Sequence, residues 1–229
     1  MRSILAIDIG GTHVKIYATG HLEAIKLPSG STLTPKKMVK AVREASAAWN
    51  YSVVSIGYPG PVVHGKPLHD PANLGKGWVG FDFAKAFGCP VKIINDAAMQ
   101  ALGSYRGGRM LFLGLGTGLG SALIVDGVLE PMELAHLPYK HGRTFEEHVG
   151  AAALKRRGEK KWIKAVYEVV AELKYALQAD YVVLGGGNAK RLIKLPPGTF
   201  AGDNENACQG GFRLWHSERQ RKALAAAGD

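Results

Sequence analysis

A weak internal duplication constrains this chain more than any other feature. LAIDIGGTHVKIYATGHL (residues 5–22) and LFLGLGTGLGSALIVDGVL (111–129) share one layout: an apolar run, a Gly/Thr turn, a second apolar run and a Thr-Gly or Asp-Gly exit. Runs of β-formers broken by glycine read as hairpins. The chain is therefore expected to build two similar α/β halves that meet near residues 104–110. Its 229 residues suffice for two halves of normal domain size, and a cleft between two halves is the default ligand site. One residue resists the simple hairpin reading. Asp8 lies inside the first apolar run, and a buried carboxylate needs a partner.

The intervening stretches supply the remaining elements. TPKKMVKAVREASAAW (34–49) predicts a helix, with Thr34 as its cap, Pro35 in its first turn and Met38, Val42, Ala45 and Trp49 on one face. YSVVSIGYPGPV (51–62) reads as a buried strand closing on a Gly-Pro turn. VKIIND (91–96) is a strand that passes into the helical AAMQALGSY. KKWIKAVYEVVAELKYAL (160–177) is the strongest amphipathic helix, and DYVVLGGGNAKRL (180–192) is a buried strand running into a Gly-rich turn.

Composition excludes several classes. No apolar run reaches the ~20 residues that span a bilayer. The start, MRSILAIDIGG, lacks a signal-peptide layout, because its apolar stretch runs straight into an acidic, Gly-rich turn. Cys89 and Cys208 are the two cysteines. That number argues against a disulfide scaffold, suits a reducing cytosol and leaves no Cys-rich zinc site. The net charge is +10, with basic clusters at KRRGEKK (155–161) and FRLWHSERQRK (212–222). Such clusters are either solvated faces or an attraction for a polyanion: nucleic acid, a nucleotide or a longer phosphate chain.

The glycine turns bear on that choice. Successive main-chain N–H groups in a Gly-rich turn form a concave nest for phosphate oxygens, and a threonine hydroxyl adds a donor. Gly10, Gly11 and Thr12 form one such turn, Gly116, Thr117 and Gly118 a second, and GGGN (185–188) a third. Any one alone reads better as a tight turn without a ligand; three at strand ends shift the reading toward phosphate or nucleotide. No G-x-x-x-x-G-K-[ST] is present. GLGTGLG does not fit G-x-G-x-x-G, and it leads into a strand rather than a helix, which argues against a dinucleotide site.

Asp96 is the candidate base, at the end of an apolar strand. A carboxylate held against a hydroxyl can take its proton as that hydroxyl attacks a phosphoryl group. An N-cap aspartate fits the same local pattern equally well. In MELAHLPY (132–139), Glu133 and His136 are three apart and would face one way on a helical turn, where they suit sugar hydroxyls. His136, His141 and His148 lack a metal-ligand spacing.

Taken in order, these segments resemble a known family. DIGGTHVK resembles the first phosphate motif of the sugar-kinase/actin/heat-shock ATPase superfamily, GLGTGLGSALIVDG its second, and VVLGGGNAKRL its adenosine motif. GYPGPV, PANLGKGW, IINDAAMQALG and ELAHL are similar to segments of the repressor/ORF/kinase (ROK) family of bacterial sugar kinases, most of all its polyphosphate/ATP glucokinases. The resemblance runs from residue 4 to about 215. It implies an α/β fold of two actin-like (ribonuclease H-like) ATPase domains with a cleft between them. Residues 1–106 would carry the first phosphate motif and the catalytic aspartate, and residues 107–229 the second phosphate motif and the adenosine motif.

The resemblance also implies roles. Asp96 would be the general base. Asn73, Asn95, Asp96, Glu133 and His136 would hold the sugar. Gly10, Gly11 and Thr12, with Gly116, Thr117 and Gly118, would cradle phosphates. Lys15 would point to phosphate or to solvent, and Gly186 and Gly187 would back the adenosine. Asp8 would face Mg²⁺ through its waters. Many family members carry a Cys-rich zinc motif ending in a sugar-binding glutamate. Here the matching stretch is YKHGRTFEEHVGAAAL, without cysteine, so no structural zinc is expected. Glu146 takes that glutamate's place, with Glu147 as second choice. Ala135 stands where the family has glycine, and the end, RLWHSERQRKALAAAGD, looks unlike the family and is expected to fray.

The leading expectation is a cytoplasmic phosphotransferase that moves a phosphoryl group from ATP or polyphosphate to the 6-hydroxyl of glucose, with Mg²⁺. No nucleic-acid or membrane partner is expected, and a homodimer is common in the family. The alternatives are a kinase for fructose, mannose or an N-acetylhexosamine, and an inactive sugar-binding or regulatory protein of the same family. A DNA-binding repressor would need a helix-turn-helix ahead of the first strand, for which the stretch before Ile4 leaves no room.

Overall fold

Two sheets of one strand order account for the duplication. A computed structural model describes residues 3–21, 23–203, 205–217 and 220–221; Leu22, which ends the first repeat, and Glu218, Arg219 and Lys222 of the basic cluster at 212–222 lie outside them. The first part of the chain runs β1 (Ile4–Ile9), β2 (His13–Ala18), β3 (Ile25–Pro28), α1 (Pro35–Ala45), β4 (Val53–Tyr58), the small hairpin β5 (Val62–Val63) and β6 (Lys66–Pro67), α2 (Phe83–Phe87), β7 (Val91–Asn95) and α3 (Asp96–Ser104). The second runs β8 (Arg109–Leu115), β9 (Leu119–Val125), β10 (Val128–Met132), α4 (Phe145–Val149), α5 (Ala151–Arg157), α6 (Glu159–Ala176), β11 (Tyr181–Gly185), β12 (Thr199–Ala201) and α7 (Asn206–Arg213).

The sheets are ordered β3-β2-β1-β4-β7 and β10-β9-β8-β11-β12. In each, the repeat supplies an antiparallel hairpin whose first strand then pairs in parallel with a later one, β1 with β4 and β8 with β11. By packing, the chain divides into one unit running to Met99 and including Ala207–Trp215, and another holding Gln100–Asn206 and the described residues after Trp215.

The period of two along a strand separates the faces of each sheet. In the first unit, Leu5, Ile7, Ile9, Val14 and Ile16 pack with Met38 and Val42 of α1 and with Trp78 and Phe83. Ala6 belongs to the other face, where Tyr17, Met99 and Ala207 bury one another. Asp8 shares that second face by alternation. In the second unit, Leu111, Leu113, Leu115, Val182 and Leu184 meet the apolar stripe of α6: Trp162, Val166, Val169, Val170 and Leu173.

Local chemistry explains the element ends. Thr34 caps α1 by accepting from the Lys37 N–H, with Pro35 in the first turn. The helix stops at Ala45, so Trp49 lies beyond it and stacks on His21 instead, 4.5 Å between ring centroids. The expected fraying does not hold for the start of the terminal segment. Leu214 is buried, and the Trp215 indole N–H donates to the Ser55 hydroxyl at 2.9 Å. No helix among the described residues is long and apolar enough to cross a membrane.

Candidate active site

Ligands of open α/β sheets gather outside the carboxyl ends of parallel strands. In the first unit those ends belong to β1, β4 and β7. The register sets Asp8 opposite Gly57, and Tyr58 opposite Asn95. Gly57 is the pivot. A Cβ there would lie 2.9 Å from the Met99 sulfur and 3.6 Å from the Asp96 Cα. The bare glycine lets the start of α3 sit against β4, on the face that Asp8 shares. Burial pushes the Asp8 carboxyl above its ordinary value, partly offset by Lys15 opposite it in the hairpin.

Asn95, not Asp96, caps α3. Its Oδ1 accepts from the N–H groups of Ala97 (2.9 Å) and Ala98 (3.3 Å), and its Nδ2 donates to the Gly60 carbonyl at 3.1 Å. Most of the Asn95 amide is thus engaged by the protein itself. Asp96 occupies the first helical position, with Oδ1 accepting from the Ala97 N–H at 2.8 Å. The N-cap alternative for Asp96 is filled by its neighbour.

The Gly10–Thr12 turn is closed by the Gly10 N–H donating to the His13 carbonyl at 2.9 Å. Gly11 and Thr12 are exposed, and a Cβ on Gly11 would come within 3.7 Å of the Asn73 Cβ, so Asn73 lies beside the turn. The loop that carries Asn73 is held by a residue the sequence did not single out. Asp70 accepts from the N–H groups of Gly77 (3.1 Å) and Trp78 (2.8 Å), and these bonds hold its carboxyl below the usual carboxylate range. Trp78 is buried and donates through Nε1 to the Gly75 carbonyl.

In the second unit the Gly116–Gly118 turn joins β8 to β9, with the Gly116 N–H bonded to the Gly118 carbonyl at 3.1 Å. The GGGN turn folds onto the end of β8. Gly186 has φ +82°, and a Cβ there would lie 2.5 Å from the Leu115 carbonyl oxygen. Asn188 then clamps the two turns: its backbone N–H donates to Leu115 O at 2.9 Å and its Nδ2 to Gly116 O at 3.0 Å. Beside this turn lies a cavity of about 300 Å³, lined by Leu184, Gly186, Ala189, Leu192, Ile193 and Ala201 among others.

Glu146 and Glu147 point to different tasks. Glu147 closes a capping box with Thr144, accepting from the Thr144 N–H at 2.8 Å, and those bonds lower its carboxyl. Glu146 turns to the phosphate turn, where Oε2 accepts from the Leu119 N–H at 3.2 Å. A Cβ on Gly118 would run into that carboxylate. Glu133 precedes a 3-10 turn, Leu134–His136. Desolvation pushes the Glu133 carboxyl up and the Glu146 carboxylate adds to this, while His136 pulls it back. The three side chains therefore form one electrostatic group. Lys15 is half-buried on β2, while Asn73, Thr117 and His136 are exposed.

Similarity to known proteins now bears on this arrangement. The ROK family profile matches residues 4–130, and the polyphosphate glucokinase of Mycobacterium tuberculosis is 31% identical over 214 residues, spanning 83% of this chain and 80% of that protein. The chain belongs to the ROK family. Among solved structures, the inorganic polyphosphate/ATP-glucomannokinase of Arthrobacter sp. strain KM matches with a TM-score of 0.77 and 27% identity, covering both chains in full. The ROK family glucokinase of Streptomyces griseus, solved with glucose and AMPPNP, has a TM-score of 0.70 at 18% identity, over 93% of this chain and 98% of that one, and bears on the fold alone. Each unit is an actin-like α/β domain, and the two make up the fold of this ROK protein.

Proposed function

We propose that this ROK protein is a glucokinase that transfers a phosphoryl group from polyphosphate or ATP to the 6-hydroxyl of glucose. The observation that carries the reading is the 31% identity to a polyphosphate glucokinase over 83% of the chain, in a chain whose Asp96 is fixed at the head of α3 while Asn95 does the capping.

In this reading Asp96 takes the proton of the 6-hydroxyl as it attacks the phosphoryl group. A positioned general base of this kind contributes roughly 10²–10⁴-fold. Asn73, Asn95, Glu133, His136 and Glu146 hold the remaining hydroxyls; Asn95 has one amide N–H left for this after its two tasks in the fold. Gly10, Gly11 and Thr12, with Gly116, Thr117 and Gly118, take phosphate oxygens through backbone N–H groups, with Lys15 behind the first turn. Gly186 and Gly187 back the adenosine of ATP, beside the cavity lined by Leu184, Leu192 and Ile193.

Mg²⁺ fits the donor set of the first unit. It binds through one or two carboxylates plus waters and substrate phosphates. Asp8 offers one buried carboxyl on β1 beside the Gly10–Thr12 turn. When bound, the ion would neutralise charge on the transferred phosphates. Asp8 would hold it through water.

The first test is a glucose-6-phosphate-coupled assay on the purified protein with Mg²⁺, comparing ATP with polyphosphate at equal phosphoryl concentration. Turnover with either donor is expected; none with either donor refutes the reading. A second acceptor, mannose, is favoured by the match to a glucomannokinase over the whole chain. Ala135, buried one residue before His136, adds a methyl that would shape the pocket for it. Mannose as acceptor in the same assay series decides between the two sugars.

A further inference from the structure

The basic cluster at residues 155–161 is left unused by the catalytic reading, yet the structure ties it to the phosphate turn. The Ala151 N–H donates to the Thr117 carbonyl at 3.1 Å, so α5 begins at the turn. The helix then leads away for seven residues, about 10 Å at 1.5 Å per residue. It ends on Lys155, Arg156 and Arg157, and α6 opens with Lys160 and Lys161. Lys155, Arg156, Lys160 and Lys161 are exposed, and so is Ala152, one turn before Lys155 and Arg156.

The acidic groups nearby are already engaged. Glu159 pairs with Arg191 at 3.0 Å, Glu147 closes the cap of α4 with Arg143 and Arg156 nearby, and Glu146 is turned onto the phosphate turn. Arg156 and Arg157 each make a structural bond, to the Glu147 carbonyl and the His148 ring. Lys155, Lys160 and Lys161 enter none of the ion pairs among the described residues. Unpaired like charges crowded on one strip repel one another, and a polyanion relieves this.

We propose that this strip, carried by Lys155, Lys160 and Lys161, holds the body of a long polyphosphate whose end lies at the Gly116–Gly118 turn. The proposal rests on the polyphosphate reading above and adds where the chain runs. A short donor reaches the turn without reaching the strip, so the strip discriminates donors by length.

The test is calorimetric titration of long-chain polyphosphate and of tripolyphosphate into the full chain over a series of salt concentrations. The same titrations are run on the Lys155→Gln/Lys160→Gln/Lys161→Gln variant. A variant with Lys36→Gln, Lys40→Gln and Lys85→Gln removes the same charge from the first unit and controls for net charge. The strip variant is expected to lose about tenfold or more in affinity for the long chain, with a salt slope reduced by about 2. Its affinity for tripolyphosphate should change less than about twofold, and the control variant should match the parent. Equal loss for both ligands, equal loss in the control, or no loss overturns the strip. So does a parent chain that fails to bind long polyphosphate. Coupled turnover separates the two readings. Binding through the strip without phosphoryl transfer leaves the strip standing and removes polyphosphate as donor. Transfer with an unchanged long-chain KM in the strip variant does the reverse.

Discussion

Asp8 and Asp96 flank Gly57 on one face of the first sheet, and the two carboxyls answer to opposite demands. Burial holds the Asp8 carboxyl above its ordinary value, so ionising it works against the fold. Asp8→Asn is therefore expected to raise the melting temperature at neutral pH by a few degrees, the scale on which about 1 kcal/mol moves a chain of this size, and to abolish turnover. The sign follows from linkage. In acid the carboxyl is neutral in both folded and unfolded chains, and the gain is absent. It grows as pH rises from the ordinary aspartate value through the raised one, then levels off. A scan of melting temperature against pH for both proteins checks it; a variant less stable than the parent at pH 7 counts against a desolvated carboxyl. Asp96→Asn should behave differently: glucose affinity kept and kcat lowered by roughly 10²–10⁴-fold, read by calorimetry and the coupled assay. Unchanged turnover removes Asp96 as the base.

At the scale of turns and helices, two glycines that look alike in the sequence have different tolerances. A Cβ on Gly186 meets the Leu115 backbone and requires φ +82° of a residue with a side chain. Gly186→Ala is expected to destabilise by more than about 1 kcal/mol, since neither backbone nor φ can give way. A Cβ on Gly118 meets only the far end of the Glu146 side chain, which can swing aside. Gly118→Ala should keep a melting temperature near that of the parent while raising the sugar KM several-fold, because Glu146 has left its seat against the Leu119 N–H. Thermal melts and steady-state kinetics on the pair separate the two. This difference also marks what the sequence could carry. Hairpins, turns and the cap on α1 were legible because they depend on residues a few positions apart. Asp70, Gly57 and Asn188 were not, since each acts on a partner brought in by the fold: Gly77 and Trp78, the start of α3, and Leu115 with Gly116. The capping role of Asn95 was hidden too, because it appears only once β7 and α3 have fixed their boundary; its role toward the sugar came from the family resemblance alone.

At the scale of the whole molecule, the first unit is not contiguous in the chain. It is completed by Ala207–Trp215, which return after the second unit has been traversed. Gly211 of α7 packs so closely on Ala6 that an added Cβ would come within 2.5 Å of the Ala6 Cβ, and Ala207 buries itself with Tyr17 and Met99. Nothing in NACQGGFR announces this in the sequence, because the use of its small residues depends on a face built by Ala6, Tyr17 and Met99 far earlier in the chain. Gly211→Val is expected to lower the melting temperature by roughly 2–12 °C, as overpacking of this kind costs about 1–3 kcal/mol and each kcal/mol moves a chain of this size by about 2–4 °C. A chain ending at residue 205 should lose more, through the uncovered face of β1; thermal unfolding of both variants reads the difference.

That return of the chain has a consequence for synthesis. A ribosome releases the strands of the first sheet and then makes more than a hundred residues before α7 follows. At about 5–20 residues per second this is a wait of roughly 5–20 s. Throughout it the nascent protein presents Ala6, Tyr17 and Met99 without their cover. The half that is made first waits for its last piece until nearly all of the second has been made, so a chaperone or protease acting during translation meets this face while α7 is still to come.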